Sequence, residues 1–316
     1  MKVIDLINSS KSTAFSFEIL PPLKGNSIQK VYNVIDKLIE FDPKYINITS
    51  HHSEYIYKTL PDGSFQKVNI RKRPGSVAIA SAIQNKYGIT AGPHIICKGF
   101  TKDETEYALI DLNFLGVYDL LLLRGDVKTL EAGQKTDIYH EHATDLQQQV
   151  NDFNKGIAID GSVFEANETP FSYGMACYPE KHEEAPNMES DIFYLKEKVK
   201  NGADYLVTQM FFDNEKYYAF VDRCRAEGIT VPIIPGIKPI VFKNQLTVLP
   251  KIFRSDIPEP FATELRKCKT DDEAKAVGVE WCIQQCKDLI AHGVPSLHFY
   301  TMMASDSVYK VAKEVY

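Results

Sequence analysis

The sequence predicts an α/β fold, a (β/α)8 TIM barrel formed as a single domain over residues 1–316. Three observations favour this fold. Eight short apolar runs rich in β-forming residues recur along the chain, and helical periodicity lies between them. The composition, 44% apolar and 25% charged, is typical of a globular protein that buries a full core.

The strand predictions come from the runs of β-branched, aromatic and other apolar residues that end in turn residues. In chain order they are Phe15–Leu20, Tyr45–Ser50, Thr90–Cys97, Tyr118–Leu123, Phe171–Tyr178, Tyr205–Phe212, Val231–Ile237 and Leu297–Met302.

The helix predictions come from apolar stripes at helical spacing. Thr101–Leu115 begins with a capping box, in which the Thr101 hydroxyl accepts from the first turn and Glu104 reaches back. The other helical segments are Ser27–Phe41, Ser190–Asn201, Asn214–Glu227, Asp271–Ala291 and Asp306–Val315.

Strands that alternate with helices also occur in large doubly wound sheets. No G-x-G-x-x-G follows the first strand, and no linker rich in Gly, Pro or Ser divides the chain. The barrel explains eight strands with one domain and is therefore preferred. The polar, basic stretch 56–74 is predicted to be an inserted loop or hairpin after the second strand.

Charge and cysteine content limit the function classes. The net charge of −6 excludes a global basic field for nucleic acid. No apolar stretch is long enough to span a membrane, and the N-terminus lacks a signal-peptide pattern, so we expect a cytoplasmic protein. The six scattered cysteines fit a reducing compartment, and most of them are expected to be small buried side chains.

Polar residues follow most predicted strands, at the end of a barrel where active sites lie. Glu18 stands out because it lies between apolar residues on a strand that should be buried. Burial disfavours the carboxylate, so the pKa of Glu18 should rise and a general acid becomes possible; a buried ion pair, for instance with Arg124, is the alternative. The Arg124-Gly-Asp126 segment is expected either to place the Asp126 carboxylate at the mouth of the barrel or to form an ordinary turn that caps the next helix.

Two further interpretations remain open at this point. Lys238 could form a Schiff base, but beside Pro239 at an exposed strand end a solvated or phosphate-facing lysine is commoner. His94, His182 and nearby carboxylates could bind a metal, but the chain has no HExxH and no H-x-H after the first strand, so we expect no metal.

Eight motifs in order give the chain a close resemblance to methylenetetrahydrofolate reductases of the bacterial type, confined to the catalytic barrel. They are SFEILPP (16–22), NITS (47–50), GPH (92–94), LLLRGD (121–126), ACYPEKH (176–182), TQMFFD (208–213), PIIPGIKP (232–239) and HFYT (298–301).

This resemblance implies an FAD-dependent oxidoreductase of one-carbon metabolism with a ping-pong mechanism. NADH or NADPH reduces the flavin and leaves, and methylenetetrahydrofolate then accepts hydride and becomes 5-methyltetrahydrofolate, which feeds methionine synthesis. The family's general acid falls on Glu18, and its aspartate beside flavin and pterin falls on Asp126. Members of the family commonly form homo-oligomers, so the resemblance also implies a homo-oligomer.

The family's other site residues carry over by motif. The implied FAD contacts are Thr49, His94, Arg124, Asp126, Ala176, Tyr178, His182, Asp191 and Lys198. The implied substrate contacts are Glu18, Asp126, Gln209, Gln245 and Tyr300.

The chain departs from the family pattern at two positions. Ala304 stands where bacterial relatives carry an arginine, and Leu249 stands where an aromatic residue is expected, which weakens the expected substrate contacts. Because the chain ends soon after the barrel, we expect neither the regulatory domain of eukaryotic relatives nor inhibition by S-adenosylmethionine.

Two other functions stay open on the sequence. Another FAD-dependent barrel, similar to proline dehydrogenase, would oxidise a different donor and ignore folate. A non-catalytic barrel would act as a binding partner in an assembly. A metal hydrolase is a more distant possibility.

Overall fold

A computed structural model of the chain describes residues 1–50, 54–125, 138–302 and 305–316. The strands are β1 (Ala14–Ile19), β2 (Tyr45–Ile48), β3 (Glu54–Thr59), β4 (Phe65–Ile70), β5 (Thr90–Ile96), β6 (Asp119–Leu123), β7 (Ser172–Cys177), β8 (Tyr205–Thr208), β9 (Ile233–Ile234), β10 (Gly236–Ile237) and β11 (Ser296–Tyr300).

Helices follow nearly every strand. They are α1 (Val3–Ser9), α2 (Gln29–Leu38), α3 (Ser76–Tyr87), α4 (Lys102–Phe114), α5 (Ala143–Asn154), α6 (Met188–Lys200), α7 (Asn214–Ala226), α8 (Gln245–Phe253), α9 (Glu259–Lys267), α10 (Asp271–Ala291) and α11 (Ser305–Val315).

Nine strands form one sheet, in the order β10-β11-β1-β2-β5-β6-β7-β8-β9. The first strand pairs in parallel with the last, and the two outermost members of the order, β9 and β10, are consecutive in the chain. They are halves of one predicted strand, interrupted at Pro235, which has no N–H to donate to a neighbour. The predicted (β/α)8 fold class is therefore confirmed, with all eight predicted strands present.

By contacts, the chain groups into two compact units. The first comprises Met1–Ile19, Val34–Asn47 and Ser172–Tyr316, and the second comprises Leu20–Asn33 and Ile48–Phe171. The prediction of a single domain stays a prediction.

The first unit has a dense apolar core. One cluster in it joins buried side chains of α8, α9 and α10 to the segment after β8, with Leu249, Phe261 and Met210 among its members. Leu249 is 3% exposed, so the residue that departs from the family pattern belongs to this core.

In the second unit, β3 and β4 form an antiparallel two-stranded sheet that pairs Glu54 with Ile70 and Thr59 with Phe65. A hairpin is one of the two forms expected for the stretch 56–74. Its turn is held by Asp62, whose carboxylate accepts from the backbone N–H and the hydroxyl of Ser64.

All six cysteines are buried as free thiols, and burial was expected for most of them. None of the helices in the described residues combines the length and the apolar character needed to span a bilayer.

The capping box of α4 gives a direct test of a local prediction. The Thr101 hydroxyl accepts from the Glu104 N–H at 3.1 Å, and the Glu104 carboxylate accepts from the Thr101 N–H at 2.8 Å. Thr101→Ala is expected to lower the free energy of unfolding by about 1 kcal/mol, measured by urea titration. Thr101→Ser keeps the hydroxyl and should retain most of the stability; an equal loss in both variants would show that the cap hydroxyl is not the cause.

Candidate active site

Glu18 lies in a row of three polar residues of the first unit, two of them on adjacent strands and the third directly after a strand. On β1 it pairs in register with Tyr300 of β11. On β10, Gly236 pairs with His298 and Ile237 with Phe299, so the next residue, Lys238, lies level with Tyr300. Residues in register on parallel strands point to the same face of the sheet, because side chains alternate with a period of two. Glu18 and Tyr300 therefore share one face, and Lys238, directly after β10, lies within electrostatic reach of Glu18.

Glu18 is 7% exposed and Lys238 is 6% exposed. Burial lowers the pKa of Lys238, and the nearby Glu18 carboxylate partly offsets that fall. The interpretation of Lys238 as a solvated lysine at an exposed strand end is therefore wrong. The sequence shows only that Lys238 precedes a proline, whereas its burial results from its strand neighbours.

A second row lies one step lower on the same face. The Ser16 hydroxyl and His298 Nδ1 are 2.9 Å apart, and the His298 ring stacks on Tyr45 with centroids 5.6 Å apart. Full burial lowers the pKa of His298 to about 3 and raises the pKa of Tyr45. The lower row is therefore uncharged at neutral pH.

The depressed pKa of His298 predicts acid sensitivity of the fold. In the unfolded chain, His298 binds a proton below pH 6.5, whereas in the folded chain it does so only near pH 3. Stability is therefore present above pH 6.5 and is lost as the pH falls towards 3, by about 2 kcal/mol between pH 6.5 and 5. Urea titrations should show that His298→Gln removes this part of the pH dependence.

His142→Gln is the matched control, because the His142 side chain is exposed to water in the folded state. It should retain the pH dependence of the parent protein. A parent-like slope in His298→Gln would contradict the assignment.

Tyr300 lies across the face between β11 and β8. Its hydroxyl donates to the Thr208 carbonyl at 2.6 Å, and its ring passes over Gly236. A Cβ at Gly236 would lie 2.5 Å from the Tyr300 ring and 2.3 Å from the Thr208 carbonyl oxygen. Gly236 is therefore required at this position, because the absence of a side chain leaves room for the Tyr300 ring to reach β8.

Two glutamines of the substrate set are held by backbone contacts in the same unit. Gln209 follows β8, where its N–H donates to the Cys177 carbonyl at 2.9 Å. The side-chain oxygen of Gln245 accepts from the N–H groups of Val241 and Phe242 at 2.7 and 3.1 Å. This arrangement orients the Gln245 amide at the start of α8.

Five of the predicted cofactor residues lie on β7, in the loop that follows it and along α6. Lys198 donates to the Ala176 carbonyl at 3.0 Å, and the Asp191 carboxylate accepts from the His182 N–H at 2.7 Å. The rings of Tyr178 and His182 meet edge to face with centroids 4.7 Å apart. An amine, an imidazole and an aromatic ring thus occupy one loop–helix junction, a donor set that fits an anionic group joined to a ring system.

A carboxylate in the same loop, Glu180, bridges distant segments of the first unit. Glu180 Oε1 accepts from the Lys216 ammonium at 2.6 Å, and Glu180 Oε2 accepts from the Asp256 N–H at 3.1 Å. Lys216 also pairs with the Asp256 carboxylate. Burial raises the pKa of Glu180, and the contact with Lys216 opposes that rise. This network ties the loop to α7 and to the segment after α8.

Three more predicted cofactor residues lie in the second unit. Thr49 follows β2, His94 lies on β5 with 4% exposure, and Arg124 follows β6. The hydroxyl of Ser50 donates to the His94 carbonyl at 2.8 Å, which fixes the segment after β2 against β5. Asp126 and Ala304 lie outside the described residues.

A model of the family described as methylenetetrahydrofolate reductase matches residues 2–316. The chain belongs to this family. The resemblance inferred from the eight motifs is therefore confirmed. The Escherichia coli 5,10-methylenetetrahydrofolate reductase is 30% identical over 297 residues, which cover 94% of this chain and 88% of that protein.

Longer relatives match as well. A probable methylenetetrahydrofolate reductase (NADPH) from Caenorhabditis elegans is 30% identical over 99% of this chain and 43% of its own length. Methylenetetrahydrofolate reductase (NADH) 1 from Arabidopsis thaliana is 30% identical over 97% of this chain and 49% of its own length. The chain thus spans about half the length of these two relatives.

Among solved structures, a crystal structure of oxaloacetate acetylhydrolase aligns with a TM-score of 0.50. The alignment covers 99% of this chain and 83% of the other, with 11% identity. At that identity the likeness concerns the fold alone.

Proposed function

We propose that this chain catalyses reduction of 5,10-methylenetetrahydrofolate to 5-methyltetrahydrofolate with NADH or NADPH as the reductant, in support of methionine synthesis. The family match over residues 2–316 is the observation that carries the proposal. Relatives named for NADPH and for NADH match this chain at the same 30% identity, so the proposal includes either nicotinamide.

We infer further that the protein uses FAD. Lys198 and His182 would hold the pyrophosphate, and Tyr178 would lie beside the cofactor with Ala176 and Asp191; the donor set found at this junction supports the assignment. Thr49, His94, Arg124 and Asp126 complete the proposed cofactor set. Bound FAD would carry hydride from the nicotinamide to the folate in two successive half-reactions.

Glu18 is the proposed general acid for the folate half-reaction. It would give its proton to the amine nitrogen that leaves the one-carbon unit when the imidazolidine ring opens; that nitrogen keeps the electron pair of the broken C–N bond. The 7% exposure of Glu18 supports this role, because burial disfavours the carboxylate and favours the proton-bearing form. Solvent would return the proton after product release.

Gln209, Gln245 and Tyr300 are the proposed contacts for either substrate. A ping-pong mechanism requires nicotinamide and folate to occupy one face in turn, and these side chains belong to the unit that holds Glu18. Gln245 supports the proposal most clearly: two backbone N–H groups engage its oxygen, which leaves its amide NH₂ to donate to a substrate.

A visible absorption experiment tests the proposal. The purified protein is reconstituted with FAD, reduced anaerobically with NADH or NADPH, and then mixed with methylenetetrahydrofolate. Flavin bands that bleach with the nicotinamide and return with the folate are expected. Flavin bands that bleach with the nicotinamide but do not return with the folate would show that the reduced flavin has another acceptor. Failure to bind FAD would favour the alternative that the chain is a non-catalytic binding protein.

A further inference from the structure

A buried lysine faces the proposed general acid. We propose that Lys238 is a positioning residue that sets the pH range over which Glu18 carries the proton used in the folate half-reaction. This inference rests on the proposed function. It concerns a lysine that the family motifs did not assign to the site.

The geometry comes from strand register. Glu18 pairs with Tyr300. Lys238 directly follows β10, whose last residue pairs with Phe299, so it comes at the level of Tyr300 on the other side, and its charge interacts with the Glu18 carboxylate. The row is held in place: the Thr301 hydroxyl donates to the Glu18 carbonyl at 2.5 Å, and the Tyr300 hydroxyl donates to the Thr208 carbonyl. Two ionisable side chains of opposite type are thus fixed near each other, and each is less than one-tenth exposed.

Other titratable groups in the described part of the first unit also lie around this pair. Tyr300 lies between the two, and burial and the Glu18 carboxylate both raise its pKa, so it stays neutral. Cys282 lies within electrostatic reach of Lys238. His298, one row lower, is neutral above about pH 3. Lys238 is therefore a cation that interacts with the Glu18 carboxylate inside this buried set.

The charge of Lys238 has two consequences for a proton donor. An ammonium near a carboxyl group favours the carboxylate, so it stabilises the form that Glu18 reaches after it gives up its proton. The same attraction lowers the pH above which Glu18 is already ionised and cannot act. Lys238 thus makes Glu18 a stronger acid and lowers the pH above which Glu18 can no longer donate a proton.

Lys238→Met tests this inference, because methionine has a similar length, no charge and a preference for burial. The folate half-reaction is followed by return of the flavin band in single turnovers across a pH series. The rate in the parent protein should fall at high pH as Glu18 ionises. In Lys238→Met that fall should move up by about one to two pH units, because a nearby opposite charge shifts a carboxyl group by about this much.

Lys238→Arg is the matched control, since it keeps the charge, and its profile should stay close to that of the parent. A merely structural role for Lys238 would lower the rate in one or both variants without moving the profile. An unmoved profile in Lys238→Met would therefore overturn the inference.

A second measurement does not depend on turnover. The carboxylic C=O stretching band that disappears in Glu18→Gln can be titrated by infrared difference spectroscopy in the parent and in Lys238→Met. The band should persist to higher pH in Lys238→Met, and an identical titration would overturn the inference. If the parent protein fails to reoxidise with folate while this band still shifts, the proposed function fails and the pairing of Lys238 with Glu18 stands.

Discussion

Glu18→Gln is expected to slow reduction of methylenetetrahydrofolate by about 10²- to 10⁴-fold, the usual contribution of a positioned general acid. Glutamine has nearly the same shape as glutamic acid but cannot give up a proton at neutral pH. Opening of the imidazolidine ring needs that proton, whereas hydride transfer from nicotinamide to flavin does not. The variant should therefore lose one half-reaction and keep the other.

Anaerobic stopped-flow absorbance separates the two half-reactions. Flavin reduction by NADH is measured in one mixing step, and reoxidation by methylenetetrahydrofolate in the next. Glu180→Gln is the matched control, because Glu180 is also a partly buried carboxylate of the first unit, but its oxygens are engaged by Lys216 and by the Asp256 N–H. It should retain folate-dependent reoxidation.

Equal losses in both half-reactions of Glu18→Gln would show that Glu18 supports the site as a whole instead of supplying a proton. Full retention of the folate step would place the acid elsewhere, with Asp126 the next carboxylate to test. Thermal unfolding of each variant, measured in parallel, separates these outcomes from loss of the fold.

The strands could be predicted from the sequence because local composition alone determines where apolar β-forming runs begin. Tyr45–Ile48 and Thr90–Ile96 start at the predicted residues, and Ala14–Ile19 is displaced by one. The break between β9 and β10 was not predicted, although Pro235 indicates it, since proline cannot donate to a neighbouring strand. Strand ends depend on hydrogen-bond partners that are distant in the sequence.

The candidate site could be predicted only in part from the sequence, for the same reason. The burial of Glu18 follows from its apolar neighbours in FSFEIL, and the structure confirms it. The burial of Lys238 could not be predicted, because its proximity to Glu18, 220 positions earlier in the chain, arises from the pairing of β10 and β1 with β11. The contact of Glu180 with Asp256 spans 76 positions and has no local signature. Patterns within a segment predict elements, but electrostatic pairs across segments need the fold.

Gly236→Ala is expected to destabilise the first unit by about 3 kcal/mol, at the upper end of the cost of overpacking a core. The backbone of Gly236 does not have a positive φ, so a side chain is excluded by lack of space and not by backbone conformation. The added methyl group would lie 2.3 Å from the Thr208 carbonyl oxygen, and that backbone atom cannot rotate away. Urea titration of the parent and the variant measures the loss.

Gly75→Ala provides the matched control, since it is the same chemical change at an ordinary φ of −71°. The nearest atom there is the end of the flexible Arg71 side chain, which can move, so the expected cost is about 1 kcal/mol or less. Tyr300→Leu in the Gly236→Ala background should restore only part of the stability, because it relieves the contact with the ring and leaves the contact with Thr208. Full restoration would show that the tyrosine alone limits the space at Gly236, and no loss in Gly236→Ala itself would mean that β8 and β10 can separate. In that case the position of Tyr300 beside Glu18 would not depend on the glycine.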